Sequence, residues 1–322
     1  MPVVIPGTLP AFEILKKEKI FVMEDARAYG QDIRPLEVCI VNLMPTKIET
    51  ETQLIRMLAN TPLQINIHLV HMKTHESRNT RQDHLDTFYL TFEDIRNRKF
   101  DGMIITGAPV ENLPYEEVDY WEELVQLMEY SKENVFSTMH ICWGAQAALY
   151  HHFGLKRHRL DKKLFGVFKH DVTPLGGRLL RGFDDSFQAP HSRFTQIERE
   201  EFEKVPGMRI LAYSEEAGVH ISSIADRRQI FVQGHGEYDR ETLKKEYERD
   251  LLKGSAQLPV NYFHNDDPQG EIEINWKSHS QLLFSNWLNY CVYQETPYNI
   301  EEMEPIKYEG KKKKSLSHWL RD

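Results

Sequence analysis

The chain has 322 residues, of which 40% are hydrophobic and 28% charged, with 17 glycines and 15 prolines. This composition excludes collagen-like, low-complexity and wholly disordered proteins, and the length suffices for a sizeable core. The net charge of −9 argues against nucleic acid and anionic membranes as partners. The three cysteines lie far apart in the sequence, which argues against a disulfide framework. The sequence shows neither a secretion signal nor an apolar run of ~20 residues, and so it predicts a cytoplasmic protein.

Strands and helices alternate through the first half of the chain. The apolar run 38–44 ends at Pro45 and predicts a strand buried on both faces of a parallel sheet. Thr46 and Glu49 predict a capping box at the start of the next helix. The polar stretch 71–86 is interpreted as a loop. Further strands are predicted at 63–70, 100–106 and 134–141, and further helices at 118–132 and 143–153.

The second half contains short β segments and two helices. The β segments predict an antiparallel extension of the sheet and lie at 165–168, 209–213, 219–224 and 229–232. Helices are expected at about 239–252 and 276–293. The order of elements predicts an α/β fold, a mostly parallel twisted sheet with helices on both faces and a small antiparallel β extension. We expect an N-terminal arm at 1–35, a single α/β domain at 36–300 with a β insertion at about 160–230, and a charged tail at 301–322.

Cys142 lies at the junction between the strand 134–141 and the following helix. At such a junction the side chain is directed outward at the carboxyl edge of the sheet, and the unpaired N–H groups of the first helical turn favour a thiolate. Gly144 lets the helix start close to the strand, as a nucleophile elbow requires. Cys142 is therefore interpreted as a candidate nucleophile, with a buried structural thiol as the alternative.

A base for such a nucleophile is present at the end of another apolar strand. His235 lies between Gly234 and Gly236, which leave its imidazole unobstructed. Glu237 can accept the other ring N–H and fix the tautomer, as in catalytic triads. A lone histidine is more often a surface or core residue. The cysteine at one strand end and the His-x-Glu pair at another together predict a triad of Cys142, His235 and Glu237.

An oxyanion formed by attack of the cysteine needs preorganised N–H donors. The Trp143 N–H is the natural first donor. The turn at Gly107 and Ala108 is the candidate for the second, which we assign to Ala108, because Pro109 has no N–H to give.

Other apparent sites are weaker. Two groups of histidines lack a structural-zinc spacing and an HExxH motif, so solvated loop histidines and no metal are expected; they are His68, His71, His75 and His84, and His151, His152 and His158. There is neither a Walker A loop nor a GxGxxG motif, so no nucleotide cofactor is expected. Packing in a strand and on a helix explains Cys39 and Cys291.

Two resemblances follow from these motifs. A cysteine elbow with a later His-x-Glu on an α/β sheet resembles the class I glutamine amidotransferase fold, although His140 stands where that elbow usually has its first glycine. The fuller match resembles the homoserine O-acyltransferases of the succinyltransferase type and covers nearly the whole chain. It is carried by NLMPTK at 42–47, TGAP at 106–109, HICWG at 140–144 and QGHGEY at 233–238.

The second resemblance implies acyl transfer from an acyl-CoA to the γ-hydroxyl of L-homoserine, in methionine biosynthesis. The implied route is ping-pong through an acyl-cysteine: Cys142 attacks the thioester, His235 moves the protons and Glu237 orients the imidazolium. The acyl-CoA is then a substrate, and no cofactor is implied. The resemblance also implies a homodimer.

The resemblance assigns substrate contacts to Lys163, Ser192 and Arg249, with Lys47 as a further candidate. Arg249 also makes chemical sense by itself, because a guanidinium can bind an amino-acid carboxylate bidentately. Solvated charges are the alternative for Lys163 and Arg249.

Glu111 follows the predicted oxyanion turn and bears on the choice of acyl group. In the homoserine O-acyltransferase family that the chain resembles, a glutamate at this position goes with acetyl and a glycine with succinyl; Ser192 is likewise associated with acyl-CoA specificity. A carboxylate beside the acyl pocket would occupy the space of a longer chain and repel the distal charge of succinate. The sequence therefore predicts acetyl-CoA as the donor.

Three other functions remain open at this point. One is homoserine O-succinyltransferase activity on the same triad. Another is a glutaminase that releases ammonia from glutamine, and the third is a non-catalytic binding module.

Overall fold

The computed structural model describes residues 3–18, 22–23, 34–75 and 79–308. The strands in chain order are β1 (Val3–Val4), β2 (Val22–Met23), β3 (Leu36–Val41), β4 (Ile65–Val70), β5 (Tyr89–Leu90), β6 (Phe100–Ile105), β7 (Val135–Ile141), β8 (His158–Val172), β9 (Ser186–Gln196), β10 (Arg209–Ser214), β11 (Gly218–Ile224) and β12 (Gln229–Val232). The α-helices are α1 (Pro10–Lys17), α2 (Lys47–Leu58), α3 (Gln82–Phe88), α4 (Phe92–Ile95), α5 (Trp121–Asn134), α6 (Trp143–Phe153), α7 (Arg199–Glu203), α8 (Thr242–Leu252) and α9 (Lys277–Asn286), the last continued by a π-helical segment, Trp287–Tyr293.

One sheet of 12 strands runs through the described part of the chain. Its order is β2-β1-β4-β3-β6-β7-β12-β11-β10-β8-β9, and β5 pairs with β4. The pairs from β2 to β12 are parallel, and those from β12 to β9 are antiparallel. The predicted architecture, mostly parallel with an antiparallel extension, is confirmed.

Alternate residues of the central strands enter two separate cores, because successive side chains of a strand point to opposite faces. Val38 and Ile40 of β3 pack in one core, with side chains from α1, α2 and α9. Cys39 and Val41 pack in the other, with side chains from α5 and α6. Helices therefore cover both faces of the sheet, as the continuous apolar strands predicted.

Several local predictions need correction. Residues 229–232 belong to the parallel part of the sheet, since β12 pairs parallel with β7. The stretch 71–86 is not a loop throughout, because α3 begins at Gln82. The strand Ser186–Gln196 was not predicted; proline and charged residues interrupt its apolar pattern. The capping box at Thr46 does not form, and Glu49 instead accepts a hydrogen bond from Lys245 at 3.0 Å.

The two chain ends carry structure where they are described. In the predicted N-terminal arm, β1 and β2 extend the parallel sheet beyond β4. In the predicted tail, Met303 and Ile306 are buried, and the Ile306 N–H donates to the Lys132 carbonyl at 2.8 Å. The block of lysines at 311–314 lies outside the described residues, and the division into arm, domain and tail stays a prediction. No helix in the described ranges combines the length and apolar character needed to span a membrane.

Candidate active site

Three neighbouring strands end at the same edge of the sheet and bring the predicted triad together. The strand β7 lies between β6 and β12, and its Ile141 is paired with Val232. Cys142 follows β7 directly, Gly107 lies in the turn after β6, and His235 follows β12 closely. Because these strands are parallel, their carboxyl ends form a common crevice, where ligands bind in open α/β sheets.

Cys142 occupies a strained turn between β7 and α6. Its φ of 50° and ψ of −116° are unusual for a residue with a Cβ, and its N–H donates to the Val232 carbonyl at 2.7 Å. A Cβ on Gly144 would lie 2.5 Å from the Thr106 carbonyl oxygen, so the start of α6 can approach β6 only with glycine there. Strain of ~1–3 kcal/mol is typical of such positions, and the surrounding structure maintains the turn that places Cys142 at the edge of the sheet.

The imidazole of His235 links the cysteine to the carboxylate. Its Nδ1 lies 2.7 Å from Glu237 Oε1, and its Cε1 and the Cys142 Cβ both lie beside Gly107. Burial alone would lower the pKa of His235, but the nearby charges of Cys142 and Glu237 and the hydrogen bond to Glu237 raise it well above the usual 6.5. A protonated ring beside the sulfur stabilises negative charge on it, which is the reactive form of a cysteine nucleophile.

The glycines beside His235 have a different role from the predicted one. A Cβ on Gly234 would lie 2.7 Å from the Pro190 carbonyl oxygen, and one on Gly236 would lie 2.9 Å from Ser280 Oγ. Both glycines therefore let the loop pack closely against neighbouring elements. The ring itself is covered by Tyr238, with the two ring centroids 4.2 Å apart and nearly parallel.

The predicted oxyanion turn lies against the cysteine. A Cβ on Gly107 would be 3.2 Å from Cys142 Cβ and 3.6 Å from His235 Cε1. Ala108 and Trp143 line the same cavity as Cys142. The turn is thus in place beside the sulfur, while the donor roles of the Trp143 and Ala108 N–H groups stay predictions.

A cavity of about 420 Å³ opens above Cys142 and gathers most of the predicted site residues. Those on its wall are Ala108, Glu111, Cys142, Trp143, Lys163, Ser192, His235 and Arg249. A second cavity of about 210 Å³ adjoins it at His235 and is lined by Glu237. The functions assigned to these side chains from the sequence stay predictions, but the fold brings the side chains to one place.

The carboxylate of Glu246 is the centre of a hydrogen-bond network that the sequence did not reveal. Its Oε2 accepts from Ser192 Oγ at 2.5 Å and from Lys163 Nζ at 3.3 Å, and its Oε1 accepts from the Tyr238 hydroxyl at 2.9 Å. Because Tyr238 stacks on His235, Glu246 connects the triad to two predicted substrate contacts. One feature of the sequence could have indicated Glu246: it precedes Arg249 by about one helical turn and therefore lies on the same face of the helix.

Arg249 and Lys163 share a second carboxylate, Asp250. Arg249 Nε and Lys163 Nζ lie 2.9 and 3.2 Å from Asp250 oxygens. Lys163 is buried, whereas the side chain of Arg249 is about half exposed, with 52% of its surface accessible. Lys163 is therefore paired inside the protein, whereas Arg249, although it pairs with Asp250, keeps about half of its side chain accessible at the cavity.

Glu111 is fixed on the cavity wall by the strand β9. Its Oε2 accepts the Phe194 N–H at 2.9 Å and lies 3.3 Å from the Thr195 hydroxyl. Burial raises the pKa of Glu111, although these hydrogen bonds oppose the shift. Arg193, fully buried nearby, was also not foreseen; burial lowers its pKa to about 10, while the charges of Cys142 and Glu111 act in the opposite direction.

Lys47 has a local structural function in the described chain. Its buried ammonium donates to the carbonyl oxygens of Asn42 at 2.7 Å and Met44 at 3.3 Å, and so holds the turn between β3 and α2. Burial lowers its pKa to about 8. Lys47 is not among the side chains that line either cavity, and its contact with a substrate stays a prediction.

Several of the histidines that were expected in solvated loops lie elsewhere, whereas His75 is exposed in the irregular segment after β4. His68 lies in β4, 2.5 Å from Glu37; His84 is buried against Glu51; and His152 is buried on α6. These three histidines lie in a strand or a helix, and their rings are wholly or partly buried. Burial raises the pKa of both other cysteine thiols, that of Cys291 to about 12, consistent with packing.

Within the described ranges, two groups of side chains are close enough together to hold a metal ion: His170, His191 and His220, and Glu129, His151 and His152. The first group is buried behind the triad loop, with the Nε2 atoms of His170 and His191 3.1 Å apart. Burial lowers the pKa of all three rings, and Arg193 lowers it further, as does His235 for two of them. The lowered pKa values favour neutral rings, and the expectation of no metal stays a prediction.

Comparisons with known proteins identify the relatives of this chain. The family described as Homoserine O-succinyltransferase matches residues 2–298. A homoserine O-acetyltransferase of Clostridium novyi (strain NT) is 59% identical over 299 residues, which is 92% of this chain and 99% of that protein. A homoserine O-acetyltransferase of Acetivibrio thermocellus is 57% identical over 305 residues, 94% of this chain and 100% of that protein.

The fold is shared with more distant proteins. The crystal structure of a glutamine amidotransferase from Thermotoga maritima aligns with a TM-score of 0.54 at 13% identity, covering 80% of this chain and 98% of that one. This likeness confirms the predicted glutamine amidotransferase-like architecture and no more than the architecture. The family match and the near full-length relatives carry the assignment: the chain belongs to the homoserine O-succinyltransferase family.

Proposed function

We propose that the protein is a homoserine O-acetyltransferase, which transfers the acetyl group of acetyl-CoA to the γ-hydroxyl of L-homoserine in methionine biosynthesis. The observation that carries the proposal is the strained Cys142 turn, facing the His235–Glu237 pair inside a cavity. The names of the relatives support acetyl as the acyl group and homoserine as the acceptor.

The first half of the reaction loads the cysteine. The Cys142 sulfur attacks the thioester carbonyl carbon of acetyl-CoA, and the carbonyl oxygen gains negative charge near the turn of Ala108 and the Trp143 N–H. When the intermediate collapses, the bond to the CoA sulfur breaks. The proton carried by His235 goes to the departing CoA thiolate, which leaves acetyl-Cys142 and a neutral imidazole.

The second half transfers the acetyl group to the acceptor. Neutral His235 takes the proton of the homoserine hydroxyl as its oxygen attacks the acetyl carbon. The Cys142 sulfur leaves as thiolate, and the imidazolium beside it is stabilised by Glu237, 2.7 Å from its Nδ1. Glu237 is thus a positioning residue, and its hydrogen bond fixes which ring nitrogen faces the cysteine.

The charges near the cavity suit an amino acid. Arg249 can bind the α-carboxylate, because its guanidinium is half exposed at the cavity. Glu246 and Asp250 supply negative charge for the α-ammonium group, in exchange for part of their present contacts with Lys163. The homodimer implied by the resemblance is part of the proposal and is testable by analytical ultracentrifugation.

Mass spectrometry tests the first half-reaction directly. After mixing with acetyl-CoA alone, the protein should gain one acetyl group on Cys142, released again by homoserine. Cys39 and Cys291 are internal controls, since both thiols are buried with raised pKa values. Absence of the adduct, together with ammonia release from glutamine that depends on Cys142, would establish a glutaminase instead. A donor comparison with succinyl-CoA decides between the acetyl- and succinyltransferase.

A further inference from the structure

The donor proposed above is uncharged along the pantetheine arm next to its thioester, and it carries its anionic groups, a pyrophosphate and a 3′-phosphate, at the far end. When the thioester lies at Cys142, the phosphates therefore lie outside the buried part of the cavity. Cations that bind them should be found at the exposed rim. This inference rests on the proposed function, since it takes acetyl-CoA as the donor.

The cavity has a buried end and an exposed end. Cys142 retains only 7% of its surface accessible, whereas Asn112, Lys253 and Ser255 on the same wall are exposed. A donor that reaches the sulfur must leave the cavity on the side of these residues. The rim formed by Asn112, Lys253 and Ser255 is therefore the side on which the phosphates emerge.

Most cations near the cavity are already neutralised. Lys163 pairs with Glu246 and Asp250, Arg249 pairs with Asp250, and Lys245 pairs with Glu49 at 3.0 Å. A cation that already has a carboxylate partner gains less from a phosphate. A phosphate site is therefore expected at cations without such a partner.

Lys253 is one such cation. It is exposed at the C-terminal end of α8, lines the cavity rim and has no ion pair with any residue in the described ranges. Its flexible side chain and compact ammonium suit a mobile, strongly hydrated phosphate.

Arg159 is a second cation of this kind. It is exposed near the start of β8, its Nη1 donates to Asn112 Oδ1 at 2.6 Å, and its guanidinium lies 5.5 Å from the ring centre of Phe194. Both partners line the cavity. Arg159 forms no ion pair within the described part of the chain, so its remaining N–H groups are available at the rim.

We propose that Lys253 and Arg159 bind the phosphate groups of the CoA donor. Both cations are exposed, so each contact contributes modestly, since exposed ion pairs are weak and screened by salt. Removal of either should lower kcat/KM for acetyl-CoA about fivefold, and removal of both about 25-fold.

The test compares two donors that share the thioester and differ in the phosphates. Acetyl-CoA and S-acetyl-pantetheine are assayed with homoserine, and the ratio of their kcat/KM values is measured for the wild type, Lys253→Ala, Arg159→Gln and the double variant. Arg159→Gln keeps a donor for Asn112. Lys169→Ala is the control, because it removes one exposed charge from β8 away from the cavity.

The ratio of kcat/KM for acetyl-CoA to that for S-acetyl-pantetheine should fall about fivefold in each single rim variant and about 25-fold in the double variant. It should stay constant in Lys169→Ala and fall in the wild type as the ionic strength rises. An unchanged ratio in the double variant would overturn the phosphate site. If the wild type forms acetyl-homoserine from neither donor, it is the proposed function that fails, which this assay separates from failure of the rim.

Discussion

The position of Glu111 allows a quantitative test of donor selection. Its Oε2 is fixed by the Phe194 N–H, and no hydrogen bond from the described residues engages its Oε1. Since it lines the cavity that contains Cys142, the distal carboxylate of a succinyl group would meet a like charge. Two unit charges 4 to 8 Å apart repel by ~4 to ~2 kcal/mol at an effective dielectric constant of about 20.

This repulsion corresponds to a factor of about 30 to 1,000 in donor preference. Glu111→Gln removes the charge and keeps the size, so it should raise the succinyl-to-acetyl ratio of kcat/KM about 30-fold or more. Glu111→Gly also opens space and should raise the ratio further. Glu117→Gln is the matched control, because Glu117 is an exposed carboxylate that does not line the cavity.

The pH dependence of the ratio provides a second check. Burial raises the pKa of Glu111, so as the pH falls its carboxylate becomes neutral earlier than that of an ordinary glutamate. Discrimination against succinyl-CoA should therefore weaken toward acid pH in the wild type and not in Glu111→Gln. If both variants keep the wild-type ratio within about threefold, neither charge nor space at this position selects the donor.

Three further predictions concern the triad and its surroundings. Gly144→Ala places a Cβ 2.5 Å from the Thr106 carbonyl, so we expect loss of acetyl-enzyme formation and lower thermal stability; normal acylation would contradict the required close approach. Glu237→Gln removes a charge that raises the pKa of His235, so the NMR titration of that ring should move to lower pH and kcat should fall. The contribution of the His235 imidazolium to the free energy of unfolding is complete below about pH 6.5 and is lost as the pH rises through the higher folded-state pKa. An unshifted titration of the ring in Glu237→Gln would refute this coupling. Glu246→Gln weakens the hydrogen bonds to Lys163 and Ser192, so it should raise the KM for homoserine about tenfold with a smaller effect on acylation by acetyl-CoA. Equal losses in both half-reactions would argue for a merely structural role.

Local sequence patterns sufficed for the central strands β3, β4, β6 and β7 and for the placement of Cys142 and His235 at strand ends. Continuous apolar runs that end in small or polar residues identify buried parallel strands, and the element that follows such a strand starts at the carboxyl edge of the sheet. The sequence therefore predicts that Cys142 and His235 lie close together, because each follows such a run. The alternation of strands and helices in the same way predicted helices on both faces.

The tertiary structure decided what depends on contacts between distant segments. Glu246 became the centre of the polar network only because α8 packs over β8 and β9, and its own sequence surroundings resemble those of a solvated helix. The glycines around His235 proved to be sites of close packing, a requirement set by Pro190 and Ser280 from other elements. Strand direction in 229–232 likewise depended on the partner strand, since an isolated apolar run carries no information about parallel or antiparallel pairing. Periodicity and local chemistry are properties of neighbouring residues and can be read along the chain, whereas hydrogen-bond partners and close approaches are fixed only when the sheet assembles.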